Sequence, residues 1–209
     1  MYVALIDYGA GNLTSVRKGF AAAGAVPQTP VNPDDLSSAD AIVVPGVGHF
    51  AATSTLDEHW LDAIVAAVER GVPLLGICLG LQWLFDGSDE APGCRGLGAL
   101  TGQCVRLPDT VKIPHVGWNS LSIVRPSPLL SGVPAGAQMY FTHSYAAPLT
   151  DACVATAMHG ATFAAVVQRD RVVGVQFHPE KSGDHGVRLL ANFLEMVRAA
   201  RQTMVTVRP

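Results

Sequence analysis

Along the chain, short apolar runs alternate with longer stretches in which apolar positions recur every three or four residues. Residues 2–6 form an apolar run that stops at the turn Gly9-Ala10-Gly11, and Asn12 is placed to cap a helix ending near Gly24. Residues 41–44 predict a second buried strand. Beyond Gly48, Leu61, Ile64, Val65 and Val68 follow the i, i+3, i+4, i+7 spacing of an amphipathic helix, which Gly71 stops. A third apolar strand spans 74–77. A helix over 79–85 begins immediately after it, with Cys78 on the junction.

From Gly102 onward the pattern changes to short strands at 138–141, 161–167 and 172–177, with a turn around Asp170. The Pro- and Gly-containing segment 112–119 reads as more loop than core. A closing helix at about 186–201 would pack Leu190, Phe193, Leu194 and Val197 on a sheet, and 202–209 reads as a C-terminal tail. The repeated strand, loop, helix order predicts an α/β fold. Its central sheet is mixed but mostly parallel, with helices on both faces, and ligands gather at the carboxyl ends of the strands.

Length and composition narrow this picture. The chain has 209 residues, within the size of one hydrophobic core, so residues 1–201 are expected to form a single domain. A net charge of -3 with no clustered basic residues lacks the electrostatic footprint that nucleic acid requires. The most apolar stretch, 72–85, is interrupted by Gly76, Gly80 and Gln82 and falls short of the ~20 residues needed to span a bilayer. The apolar start lacks the basic flank and length of a signal peptide, so a soluble cytoplasmic protein is expected. Cys78, Cys94, Cys104 and Cys153 form no C-x-x-C pair and are read as thiols.

One of these thiols stands in a chemical context. Gly76-Ile77-Cys78-Leu79-Gly80 has the G-x-nucleophile-x-G form, in which two glycines let a strand turn sharply into a helix and leave one side chain exposed. The helix amino terminus there favours the thiolate. Taken alone, Cys78 would pass for a buried thiol, and His178-Pro179-Glu180 for a surface turn. Together they make a nucleophile and an acid–base pair. In an extended segment His178 and Glu180 point to the same side, ~6.6 Å apart along the chain. The carboxylate would fix one imidazole nitrogen and leave the other to take the thiol proton.

Pro45-Gly46-Val47-Gly48 follows a strand and would bring backbone N–H groups to an oxyanion, with the Leu79 N–H as the second donor. A zinc site at His178, Glu180, Asp184 and His185 lacks the Pro-Cys-x-x-Cys partner of the deaminase signature. Gly9-Ala10-Gly11 reaches Thr14 where a dinucleotide fingerprint needs glycine, so nucleotide binding has little support.

Around these residues the chain resembles the class I glutamine amidotransferases, whose nucleophile turn is similar to residues 76–82 and whose acid–base pair is similar to His178-Pro179-Glu180. Within that class, Asp7-Tyr8-Gly9-Ala10-Gly11-Asn12-Leu13, Pro45-Gly46-Val47-Gly48, Lys112-Ile113-Pro114-His115-Val116-Gly117-Trp118-Asn119 and Tyr140-Phe141-Thr142-His143-Ser144-Tyr145 resemble the glutaminase subunits of imidazole glycerol phosphate synthases. The similarity runs from residue 2 to about residue 193. His49, Leu81 and Ala99-Leu100-Thr101 depart from the pattern without touching the triad.

The resemblance implies a flavodoxin-like fold and glutamine hydrolysis through a Cys78 thioester, with His178 shuttling protons and Glu180 orienting it. It also implies an oxyanion site at Gly48 and Leu79, and Gln82, Ser144 and Tyr145 as the holders of glutamine. Neither cofactor nor metal is expected. The implied partner is a (β/α)8-barrel cyclase that takes the ammonia for histidine biosynthesis in a heterodimer. Asn12, Trp118, Asn119 and Lys181 would face it, and Trp118 and Asn119 are also of a type that anchors interfaces. The rival readings are another class I glutaminase, a papain-like or DJ-1-like cysteine hydrolase, and a catalytically silent regulatory subunit.

Overall fold

The structure, a computed structural model, describes residues 1–206. In chain order the strands are β1 (Val3–Leu5), β2 (Ala41–Val44), β3 (Leu74–Ile77), β4 (Gly87–Ser88), β5 (Gln103–Arg106), β6 (His115–Ser120), β7 (Ser122–Ile123), β8 (Gln138–His143), β9 (Tyr145–Ala146), β10 (Cys153–His159), β11 (Ala161–Arg169) and β12 (Val172–Val175). The α-helices are α1 (Leu13–Ala22), α2 (Glu58–Glu69), α3 (Leu79–Trp83) and α4 (Gly183–Thr206).

A seven-stranded sheet runs in the order β1-β2-β3-β12-β11-β10-β7. The pairs β1–β2, β2–β3 and β3–β12 are parallel and the remaining pairs antiparallel, so β1, β2, β3, β12 and β10 share one direction. This is the mixed, mostly parallel sheet the sequence predicts. Alternation along β1 sends Val3 and Leu5 to one face, where they meet Val16 and Phe20 of α1 and Leu190, Phe193 and Val197 of α4. Ala4 and Ile6 go to the other face, with Ile64 and Ala67 of α2 and Leu79 and Leu81 of α3. Both faces are dry, which is why these strands read as continuous apolar runs. Each fully buried Leu, Ile, Val or Phe contributes roughly 1.5–3 kcal/mol.

The helix ends follow their caps. The Asn12 side chain accepts from the Ser15 N–H and starts α1, the Asp57 side chain does the same from Trp60 for α2, and Gly71 closes α2 at φ 88°. The buried stripe of α2 differs from the predicted one, since Ile64 and Ala67 are buried while Val65 is 40% exposed. The small Ala67 lets the helix roll close to the sheet and turns Val65 outward. Helix α4 continues to Thr206, past the expected end at 201, and residues 207–209 of the expected tail lie outside the described residues.

Segment 112–119 is not a loop. From His115 it is strand β6, paired antiparallel with β8 in the register His115↔His143 through Ser120↔Gln138. Its inward positions are His115, Gly117 and Asn119 and its exposed ones include Val116 and Trp118, both 57% exposed. That is the inverse of a half-buried strand, so hydrophobic alternation could not reveal it.

Candidate active site

At the carboxyl end of β3 the chain turns directly into α3, and Cys78 sits on the turn at φ 54°, ψ -103°. A non-glycine residue held there stores on the order of 1–3 kcal/mol of strain. The flanking glycines make the turn possible by close approach. A Cβ on Gly80 would lie 1.8 Å from the Val44 carbonyl oxygen, and one on Gly76 would lie 2.5 Å from the Gly80 carbonyl oxygen. The thiol is directed at the Thr142 carbonyl at 3.7 Å, and the Gln176 carboxamide nitrogen lies 3.9 Å from the sulfur.

Strand β12 lies beside β3 and delivers His178 to the same end. Its Nδ1 is 2.8 Å from Glu180 Oε1, with the two side chains only 3% and 2% exposed. The carboxylate accepts from Nδ1–H, which leaves Nε2 as the nitrogen available for proton exchange. That Nε2 is buried and has no hydrogen-bond partner. Burial alone would lower the affinity of His178 for a proton, but the neighbouring Cys78 and Glu180 outweigh it and raise the imidazole's pKa.

The contact is not made by an extended segment as the spacing suggests. Pro179–Lys181 is a 3-10 turn, held by the Ser182 hydroxyl donating to the His178 carbonyl at 2.6 Å. Helix α1 buttresses it at Gly19, where a Cβ would come within 2.9 Å of Glu180 Cβ.

A pocket of about 270 Å³ opens beside Cys78, lined by Gly48, Leu79, Gln82, Ser144 and Tyr145. The fold thus brings the expected oxyanion and substrate positions to one place. Glu90, Pro114, Thr142 and His143 line it as well. None of these is among the site residues expected from the sequence; Glu90 reaches the pocket from a turn, where its carboxylate accepts from the Phe50 N–H at 2.7 Å, and Thr142 and His143 lie on β8. Gln82 is buried, and its Nε2 donates to the Tyr145 carbonyl at 2.7 Å and the Gln176 Oε1 at 3.4 Å.

The expected second oxyanion donor is engaged elsewhere. The Leu79 N–H donates to the Gly46 carbonyl at 3.3 Å, because residues 45–48 pass directly over the start of α3. Gly48 has φ 107° and nothing within 4 Å of an added Cβ. The hydroxyl of Tyr8 is buried with no partner, and burial followed by the neighbouring Cys78 keeps it protonated by raising its pKa.

The residues expected at a partner surface separate into two groups. Trp118 packs edge-on against Tyr140 at 6.0 Å, and Lys181 Nζ stands 5.8 Å over the Tyr140 ring, forming one exposed patch. The His178 N–H donates to the Tyr140 carbonyl at 2.8 Å, so this patch adjoins the acid–base pair. Asn119 points to the opposite side of β6 and Asn12 is occupied as a helix cap. Among the described residues no group of three or more His, Cys, Asp or Glu is placed to hold a metal ion, and no helix is long and apolar enough to cross a membrane.

Compared with known proteins, residues 4–197 match the family model of glutamine amidotransferase class-I. The chain is 46% identical over 202 residues to the imidazole glycerol phosphate synthase subunit HisH of Moorella thermoacetica, covering 95% of this chain and 96% of that one. It is 43% identical to the subunit of the same name from Methanothermobacter thermautotrophicus, covering 94% and 100%. A solved glutamine amidotransferase superposes with a TM-score of 0.75 at 20% identity, covering 95% and 100%. The PurLQS structure from Thermotoga maritima does so with a TM-score of 0.73 at 20% identity, covering 93% and 97%. The two solved structures bear on the fold alone.

Proposed function

The chain belongs to the class I glutamine amidotransferases and, within them, to the HisH subunits of imidazole glycerol phosphate synthase; from that premise we propose that Cys78, His178 and Glu180 hydrolyse glutamine and that the ammonia goes to a cyclase subunit. The observation that carries this reading is the strained Cys78 elbow beside a buried, unpartnered His178 Nε2 whose other nitrogen is fixed by Glu180.

His178 Nε2 takes the thiol proton as the sulfur attacks the side-chain carboxamide carbon of glutamine. The protonated imidazole gives that proton to the departing nitrogen, and ammonia leaves. Water, deprotonated by the same nitrogen, then cleaves the thioester and releases glutamate. Glu180 keeps the tautomer and stabilises the imidazolium throughout. Gln82, Ser144 and Tyr145 hold the glutamine.

Gly48 and Leu79 supply the oxyanion donors. Since the Leu79 N–H is tied to the Gly46 carbonyl, residues 45–48 must shift before that donor serves the transition state. The isolated chain is therefore slow, and a partner that moves this segment accelerates it. The partner is a (β/α)8-barrel cyclase in a heterodimer, docked over the patch of Trp118, Tyr140 and Lys181 and not over Asn119 or Asn12, with a contact burying on the order of 1,000 Å² or more. A docked partner keeps ammonia from escaping into water.

The test is Cys78→Ala. Glutamate release is abolished, the fold is retained, and the partnered cyclase still works with added ammonia. Substantial glutamate release by a folded Cys78→Ala protein overturns the triad.

A further inference from the structure

Beyond the triad, a line of polar groups leads from half-buried Asn119 on β6 through two buried histidines to the pocket. His115 and His143 face each other across β6 and β8, 4% and 6% exposed. His143 Nδ1 is 2.9 Å from the Tyr145 carbonyl, which can only accept, so Nδ1 carries the proton and Nε2 accepts. His115 Nδ1, 3.0 Å from that Nε2, must then donate, leaving His115 Nε2 to accept from Asn119 Nδ2 at 3.3 Å. The other Asn119 proton goes to the Met158 carbonyl at 2.8 Å. Two carbonyls at the ends thus fix every proton between them.

The Tyr145 carbonyl is the junction where this line meets the pocket. It accepts from His143 on one side and from Gln82 Nε2, at 2.7 Å, on the other. The second Gln82 proton reaches Gln176 Oε1 at 3.4 Å, and Gln176 in turn presents its nitrogen to the Cys78 sulfur.

We propose that His143, backed by His115 and Asn119, is a positioning residue for glutamine: it holds the Tyr145 carbonyl, and through it the Gln82 and Gln176 carboxamides, in place around Cys78. This rests on the reading of the pocket as a glutamine site. The His143 side chain acts through Tyr145 on a wall that does. Both rings must be neutral for the line to hold. Burial, with further lowering from neighbouring histidines, keeps His115 at about 4 and His143 at about 3, so they are neutral at pH 7.

The two nitrogens of His143 are separable by mutation. In His143→Asn the side-chain N–H stands where Nδ1–H stood and still reaches Tyr145. In His143→Gln the amide stands near Nε2 and cannot. For the full-length chain, glutamate release gives KM and kcat, and alkylation of Cys78 by iodoacetamide reports the nucleophile independently of glutamine. His143→Gln raises the glutamine KM about tenfold, as expected for one lost positioning hydrogen bond, with a smaller change in kcat and an unchanged alkylation rate. His143→Asn stays within about threefold of the parent KM.

Equal KM changes in the two variants, or lowered melting temperatures with KM unmoved, overturn the proposal in favour of a purely structural role. If His143→Gln does not fold, His143→Leu decides, because it fills the same buried site beside Phe141 and Phe163 and also lacks a donor to the Tyr145 carbonyl. A parent-like KM in that protein overturns the proposal. Failure of the parent chain to release any glutamate would instead overturn the glutaminase reading itself.

Discussion

Gly19→Ala sets two opposing effects against each other at the back of the acid–base pair. Gly19 lies within α1, where alanine is favoured by about 1 kcal/mol in helix propensity. The new Cβ would sit 2.9 Å from Glu180 Cβ, 3.0 Å from Leu190 Cδ1 and 3.1 Å from Glu180 Cα. Carbon atoms pack best at roughly 3.5–4.0 Å, so the Glu180 backbone must retreat by about 0.6–1 Å. Neither Glu180 atom is the end of a flexible side chain, and overpacking of this kind costs about 1–3 kcal/mol. The clash therefore wins or ties, with a net loss of about 0–2 kcal/mol.

The functional effect is larger than the structural one. A retreat of that size stretches the 2.8 Å contact between His178 Nδ1 and Glu180 Oε1 to the edge of what counts as a hydrogen bond. Losing control of the His tautomer in comparable triads costs up to about 10⁴ in turnover, and partial loss here is expected to cost tenfold or more. Urea unfolding and glutamate release measure the two effects on one protein. A Gly19→Ala chain that is more stable and equally active would refute the idea that α1 sets the position of Glu180.

Gly48→Val forces a β-branched residue into φ 107°, and kcat for glutamate release should fall by roughly 100- to 1,000-fold with a smaller change in KM; a change confined to KM would make Gly48 a pocket residue only. Trp118→Ala should alter the unfolding midpoint little, because the ring is 57% exposed, but weaken association with the cyclase or its stimulation of glutaminase turnover. A Trp118→Ala chain that couples normally would place the interface elsewhere. The folded-state values of His115 and His143, about 4 and 3, lie below the 6.5 of an unfolded histidine. The unfolded chain therefore takes up protons first as pH falls below about 6.5. Stability from these rings is fully present above that value and is lost on acidification towards 4 and 3. Denaturant midpoints measured from pH 7 to pH 4.5 should fall, and fall less in His143→Asn; equal slopes would exclude His143 as a source.

Much of the molecule was legible in the order of its residues. The strands β1, β2, β3 and β12 announce themselves as apolar runs because both faces of the sheet are covered by helices. The elbow at Cys78 is legible because Gly76 and Gly80 leave room that a Cβ would fill, and a local steric demand of that kind writes itself into neighbouring positions. The pair His178 and Glu180 is legible for the same reason, being only two residues apart, although a 3-10 turn and not an extended strand makes their contact.

What the tertiary structure alone decided is what depends on pairing between distant segments. Strand β6 hid from the sequence because its inward side carries His115, Gly117 and Asn119. The polar line through His115 and Asn119 exists only in the register that sets His115 opposite His143. The engagement of the Leu79 N–H by Gly46, and the buttressing of Glu180 by Gly19, join residues more than thirty positions apart. Periodicity reports which face of an element is buried. It carries no information on what meets that face across the fold, and the state of this site is set by those meetings.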